Sequence, residues 1–102
     1  MSQKRPRIEL PKLRAAARGA DCRLQLPGVC NHDPATTVLA HRDRLGMGYK
    51  NHDFAALNMC HSCHDVFDRR TPSEFGDDEL LNLFDDAWPG QLESWFRTGA
   101  LK

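Results

Sequence analysis

The run Cys60-His61-Ser62-Cys63-His64, with Asp68 beyond it and Cys22 and Cys30 upstream, holds most of the chemistry in this sequence. Two thiols separated by two residues can reach one ion from a turn that enters a helix. Zinc held for structure takes four thiolate or imidazole ligands in a tetrahedron. Cys22, Cys30, Cys60 and Cys63 supply that number with no cysteine left over. The rivals are a redox Cys-x-x-Cys pair, disulfides, buried free thiols, and His64 replacing one cysteine as a zinc ligand. A redox pair usually follows a buried strand of a thioredoxin-like fold, and this chain is short for that fold and lacks its alternating pattern. Structural zinc is the reading adopted, and losing the ion should unfold much of the domain.

Beside the cysteines lies a second set of groups. His64 and Asp68 are four residues apart on one helical face, a spacing that lets both hold one divalent ion. Asp65 is turned about 100° away around the helix and is the weaker ligand. His41, neutral at pH 7, could take a proton from an attacking water. Such an ion, of the Mg²⁺, Mn²⁺ or Ni²⁺ kind, would neutralise a phosphate and stabilise a leaving oxygen. Arg42, Arg44, Arg69 and Arg70 flank these positions and could bind neighbouring phosphates. Each of these residues has a plainer reading, as a satisfied core or surface histidine or as a salt-bridged helix end at Asp68-Arg69-Arg70. Their joint arrangement around the cysteine clip favours phosphodiester hydrolysis. His32, His52 and His61 read as surface residues, with His52 the exception to watch because it lies in the loop facing His41.

Residues 10–18 predict a helix: Pro11 suits its first turn, the alanines favour it and Gly19 ends it. Arg23 to Leu26 nearly alternates and reads as a half-buried strand before the turn Pro27-Gly28. Thr36 to His41 is rich in β-branched residues and reads as a strand ending at His41. Arg42 to Tyr49 is a loop, Asp53 to Met59 a second extended segment, and a helix starts within the clip and runs to about Arg70. The order is strand, loop, strand, helix. Thr71-Pro72-Ser73-Glu74 has the residues of a helix start. An amphipathic helix follows to Trp88, Pro89-Gly90 breaks it, and Leu92, Trp95 and Phe96 mark a last short helix ending near Gly99.

The chain has 102 residues and no net charge, so one domain is expected, residues 10–102, with its core in 20–71 and C-terminal helices in 72–99. Residues 1–9 read as a flexible basic arm. Lys4, Arg5, Arg7, Lys12, Arg14, Arg18 and Arg23 make the N-terminal part basic, whereas the last 30 or so residues are acidic. A basic end can meet a phosphate backbone or remain a solvated tail. No apolar run approaches the ~18 residues of a membrane span, and the N-terminus lacks a secretory signal's apolar core. The expectation is a cytoplasmic protein with reduced thiols and no membrane partner.

Several stretches in order resemble a known family: Leu13-Arg14 through Arg18-Gly19, Cys22, Leu26-Pro27-Gly28-Val29-Cys30-Asn31, Val38-Leu39-Ala40-His41, and Cys60-x-x-Cys63-His64-Asp65-x-x-Asp68-Arg69-Arg70-Thr71. This pattern, over about residues 10 to 71, is similar to the prophage-encoded YbcO-like family, regarded as nucleases of the HNH or ββα-metal type. The resemblance implies an α+β fold with a zinc-stapled, treble-clef-like ββα-metal core and flanking N- and C-terminal helices. It implies zinc on the four cysteines, His41 as general base, and His64 as the final HNH histidine with Asp68 beside it. Where the wider superfamily has a ligand before the base, this chain has Ala40; where it has an asparagine before the clip, this chain has Ala55. Asp53 is then the candidate for the orienting role. The expected function is a metal-dependent endonuclease acting on DNA, with a homodimer suited to duplex cutting. The alternative is a non-catalytic zinc module that binds nucleic acid or a phage or host protein.

Overall fold

The computed structural model describes residues 8–42 and 52–101. Arg44 and residues 1–7 of the expected basic arm lie outside them. Helix α1 spans Pro11–Ala17, with Pro11 in its first turn and Leu13 and Ala17 buried one turn apart. It ends where Arg18 turns extended and Gly19 takes φ +79°, a conformation that costs glycine nothing. A 3-10 turn, Pro34–Thr36, is capped by the Asp33 carboxylate, which accepts from the Ala35 N–H.

Strands β1 (Val38–His41) and β2 (Ala56–Met59) pair antiparallel, with Val38 opposite Met59 and His41 opposite Ala56. All of β2 is buried, because the core lies on both of its faces. One residue, Cys60, joins β2 to helix α2 (His61–Phe67), and the Cys60 sulfur accepts from the Cys63 N–H to cap it. The chain leaves α2 through Asp68 and Arg69, the latter at φ +63°, with the Arg70 and Thr71 N–H groups both on the Asp65 carbonyl. The expected order of two strands and a helix is therefore present among the described residues, with the second strand shorter than the segment read from sequence, while residues 43–49 of the expected loop lie outside them.

Two expectations are corrected. The stretch Arg23 to Leu26 is not a strand, although Cys22, Leu24 and Leu26 are buried in alternation. Gln25 takes φ +45°, and one backbone bond, Arg23 N–H to the Asn58 carbonyl, ties the stretch to β2. The alternation comes from wrapping around the cysteines rather than from a ladder. The C-terminal part is one helix, α3 (Asp77–Thr98), not two. It starts after Gly76 rather than at Thr71 and runs through Pro89 and Gly90 to Gly99.

Proline inside a helix costs about 3 kcal/mol, so the packing of α3 must outweigh it. Leu80 and Phe84 are buried before Pro89 and Trp95 after it, each worth about 2 kcal/mol of burial as an upper estimate. The Trp88 indole donates to the Phe54 carbonyl at 2.8 Å, and the buried Gln91 Oε1 accepts from the Asn58 N–H at 2.9 Å. Anchors on both sides of Pro89 hold α3 against the hairpin. Its two halves also serve two parts of the core: Leu80 and Phe84 pack with the cysteines, Leu57 and Phe67, whereas Trp95 packs with Leu13 and Ala56.

Candidate metal centre and active site

Cys22, Cys30, Cys60 and Cys63 come from a wrapping loop and from the β2–α2 junction, yet their sulfurs all lie within 4.8 Å of one another. Cys30 and Cys60 Sγ are 3.8 Å apart. A tetrahedron with metal–sulfur bonds of ~2.3 Å has edges of ~3.8 Å, whereas a disulfide needs ~2.05 Å. All four are free thiols, three of them buried. Four soft ligands gathered this closely, three of them buried, fit a structural metal ion.

Each loop turns so that backbone N–H groups face sulfur. Gln25 N–H donates to Cys22 at 3.3 Å, Leu26 N–H to Cys63 at 3.4 Å, and Cys63 N–H to Cys60 at 3.4 Å. The Cys63 thiol's hydrogen bond, aided by nearby backbone N–H groups, pushes the Cys22 thiol down to about 4. That same bond, followed by burial, pushes Cys63 up, and burial pushes Cys30 up. Sulfurs this close cannot all shed their protons without a cation among them.

The second polar centre is built on Asp53, which is fully buried. Its Oδ1 lies 2.8 Å from His41 Nε2 and 3.1 Å from Arg14 Nη2. Its Oδ2 accepts from the Leu10 N–H at 2.6 Å and from Arg14 Nε at 3.3 Å. Arg14 thus grips both oxygens in a fork. The Asp53 N–H donates to the Ile8 carbonyl, and the Ile8 N–H donates to His52 Nδ1 at 2.8 Å. So Ile8, within the stretch read as a flexible arm, is docked, and His52 is a structural partner that also stacks on Phe54.

His64 Nε2 and Asp68 Oδ2 face each other at 2.9 Å across one turn of α2. Neighbouring ligands on an octahedral ion with bonds of ~2.1 Å sit ~3 Å apart, so this pair has the right bite. Asp65 points elsewhere, toward His61 at 3.3 Å. Among the described residues, the cysteines form the group of three or more histidine, cysteine or carboxylate ligands gathered so closely. His41, His64 and Asp68 stand as two separate pairs, one with Asp53 and one with each other.

Three of the arginines expected on phosphates, Arg42, Arg69 and Arg70, are engaged within the protein. Arg42 forms a fork on Asp85 of α3, at 2.8 and 3.0 Å, and that carboxylate raises its pKa further. Arg69 pairs with Asp77, and Arg70 lies 3.7 Å from both Asp65 and Asp68. Sequence reasoning missed Arg14 and the Leu10 N–H as partners of Asp53, and His32, whose Nδ1 is 3.7 Å from Cys30 Sγ. Contacts across 39 and 43 residues leave no local spacing to read.

The family described as "Putative nuclease YbcO" matches residues 11–95. Curated relatives bearing that description, from Escherichia coli strain K12 and from Enterobacteria phage 82, are each 50% identical over 62 residues. The alignment takes in 58% of this chain and 65% of each relative, a little under two thirds of their length. A solved "putative bacteriophage protein" from Escherichia coli K-12 MG1655 is similar in fold, with TM-score 0.68 and 33% identity. It covers 86% of this chain and 100% of its own. Among the described residues no helix is long and apolar enough to cross a membrane.

Proposed function

The chain belongs to the YbcO family, and from that membership and the geometry above we propose a zinc-stapled, metal-dependent endonuclease of the HNH, or ββα-metal, type that hydrolyses phosphodiester bonds in DNA. The observation that carries the proposal is the His41–Asp53 pair at the end of β1, held in place by the hairpin that runs into the thiol cage. Residues 10–102 act as one domain in this reading.

Cys22, Cys30, Cys60 and Cys63 hold zinc, which fixes the wrapping loop to the start of α2. His64 and Asp68 would hold a divalent ion such as Mg²⁺, Mn²⁺ or Ni²⁺, whose chemistry there is neutralising phosphate charge and stabilising the leaving 3′-oxygen. Asp53 is a positioning residue. Arg14 and the Leu10 N–H hold both of its oxygens in place, and it sets the orientation and tautomer of His41. Held by Asp53, His41 would accept the proton of an attacking water.

Incubating the protein with supercoiled plasmid and each divalent metal in turn tests this. Nicking should appear and fall by 100-fold or more in His41→Ala, as expected for loss of a general base of typical ~10²–10⁴-fold effect. Nicking at the wild-type rate in that variant would remove His41 as the base.

A second reading is a non-catalytic zinc module that binds nucleic acid or a phage or host protein. It is favoured by the separation of His41 from His64 and Asp68, and by Ala40, which is buried and offers no ligand beside the base. Metal analysis separates the two: one tightly held zinc, no second divalent ion and no nicking would support the module.

A further inference from the structure

The groove between α1 and β1 has a volume of about 720 Å³ and is lined by Arg14 of α1, by Arg18 just past its end, and by Thr36, Thr37, Val38 and Leu39. No carboxylate is among its lining residues. Arg14 lies in α1 and Arg18 is the extended residue that caps its end, and both side chains border the same groove. Arg14 spends Nε and Nη2 on Asp53, but a guanidinium has five N–H donors, and its side chain remains 48% exposed. Arg18 is exposed, and among the described residues no ion pair or hydrogen bond of its side chain is recorded. Elsewhere the arginines Arg42, Arg69 and Arg70 are matched by Asp85, Asp77, Asp65 and Asp68. The α1–β1 groove is thus a basic concavity walled by the residue that grips Asp53.

We propose that this groove is the binding track for a DNA phosphodiester backbone, with Arg18 and the outer edge of Arg14 on phosphates. The track rests on the nuclease reading for its purpose but not for its physics. Arg14 would contact the strand with one edge and hold the Asp53–His41 pair with the other. The apolar wall of Val38 and Leu39 suits the sugar face of a backbone and offers no base-reading polar group, so binding would be insensitive to sequence.

The test uses the zinc-loaded full chain and a fluorescein-labelled DNA duplex, in buffer without added divalent metal so that cleavage stays silent. Anisotropy is read as a function of KCl. Arg18→Gln should weaken binding several-fold and reduce the log–log salt slope by about 1, the loss of one phosphate contact. Arg18→Lys should keep the slope. Arg97→Gln, on α3 against Glu93, should change neither. Zinc content and the far-ultraviolet circular dichroism of each variant show whether it is folded. Equal affinity and slope for folded Arg18→Gln would overturn the proposal, as would a wild-type chain with no affinity for duplex. Duplex binding that depends on Arg18, in a chain that nicks nothing with any metal, would leave the groove standing and remove the nuclease reading.

Discussion

The thiol cage and the Asp53 seam are both buried polar centres tying distant segments to the same hairpin, but they are satisfied by different means. At Asp53 the protein supplies every compensating group: a guanidinium fork, a backbone N–H and an imidazole converge on one carboxylate. At the cage it supplies four sulfurs, a ring of N–H donors and the His32 imidazole 3.7 Å from Cys30, with no arginine or lysine on the sulfurs among the described residues. A buried anion is stable when its countercharge is built in; a cluster of thiolates must take its countercharge from solution. On the proposed reading the seam is fixed by sequence alone, and the cage should make folding conditional on metal.

The largest effect should follow from removing that metal. Structural zinc contributes on the order of 10 kcal/mol in small domains, more than a domain of this size has in reserve. A chelator strong enough to strip the ion should collapse the far-ultraviolet circular dichroism, and added Zn²⁺ should restore it. Acid should act likewise, because each sulfur leaving the ion takes up a proton. Dichroism and thermal midpoint unchanged after proven metal loss would break the comparison, since the cage would then stand as ordinary apolar core.

Next comes the seam. Asp53→Ala strands His41 and Arg14 and leaves the Leu10 N–H without its acceptor. Breaking a buried charge pair costs about 3–5 kcal/mol; Arg14 is half exposed and can turn to water, so about 3 kcal/mol is expected. At 4–8 °C per kcal/mol for a domain of this size, the thermal midpoint should fall by 10 °C or more with zinc still bound at one equivalent. Loss of zinc together with Asp53 would show that the two centres are one cooperative unit rather than two independent devices.

The two centres were not equally legible. The cage could be read because Cys60-x-x-Cys63 is a local spacing and four cysteines make one complete ligand set. His41 at a strand end and the ββα order were legible for the same reason: strand propensity and turn residues act over a few positions. Asp53 was named, but its grip was not, since Arg14 and Leu10 reach it across some 40 residues of chain. The arginine expectations erred in the same way. Arg42 and Arg69 look available in sequence because their partners, Asp85 and Asp77, arrive with α3. Pro89 was read as a break because local propensity says so, and the packing that overrides it is tertiary.

The same packing makes α3 a brace common to both regions. Gln91→Ala removes the acceptor for the buried Asn58 N–H and should cost about 1–3 kcal/mol, the penalty of an orphaned donor. Pro89→Ala should act in the opposite direction, raising the thermal midpoint, because a straight helix gains a hydrogen bond and loses a steric clash. A lower midpoint for Pro89→Ala would mean that proline's restriction of the unfolded chain outweighs its helical cost.

The smallest effect belongs to the Arg42–Asp85 fork, and its size is the point. Both side chains are about half exposed, and exposed pairs contribute about 0–1 kcal/mol. Arg42→Ala should therefore shift the thermal midpoint by no more than a few degrees, leaving zinc content and the Asp53 seam intact. If Arg42 is occupied by α3 rather than by substrate, the same variant should leave the salt slope of duplex binding unchanged, in contrast to Arg18→Gln. Asp85→Ala then becomes the informative partner. Freeing Arg42 from its carboxylate should tighten duplex binding, by more at low salt than at high salt, because an exposed guanidinium is screened within about 10 Å at 0.1 M salt. Tighter binding by Asp85→Ala that vanishes in the double variant with Arg42→Ala would show that the acidic face of α3 holds that arginine back from phosphate.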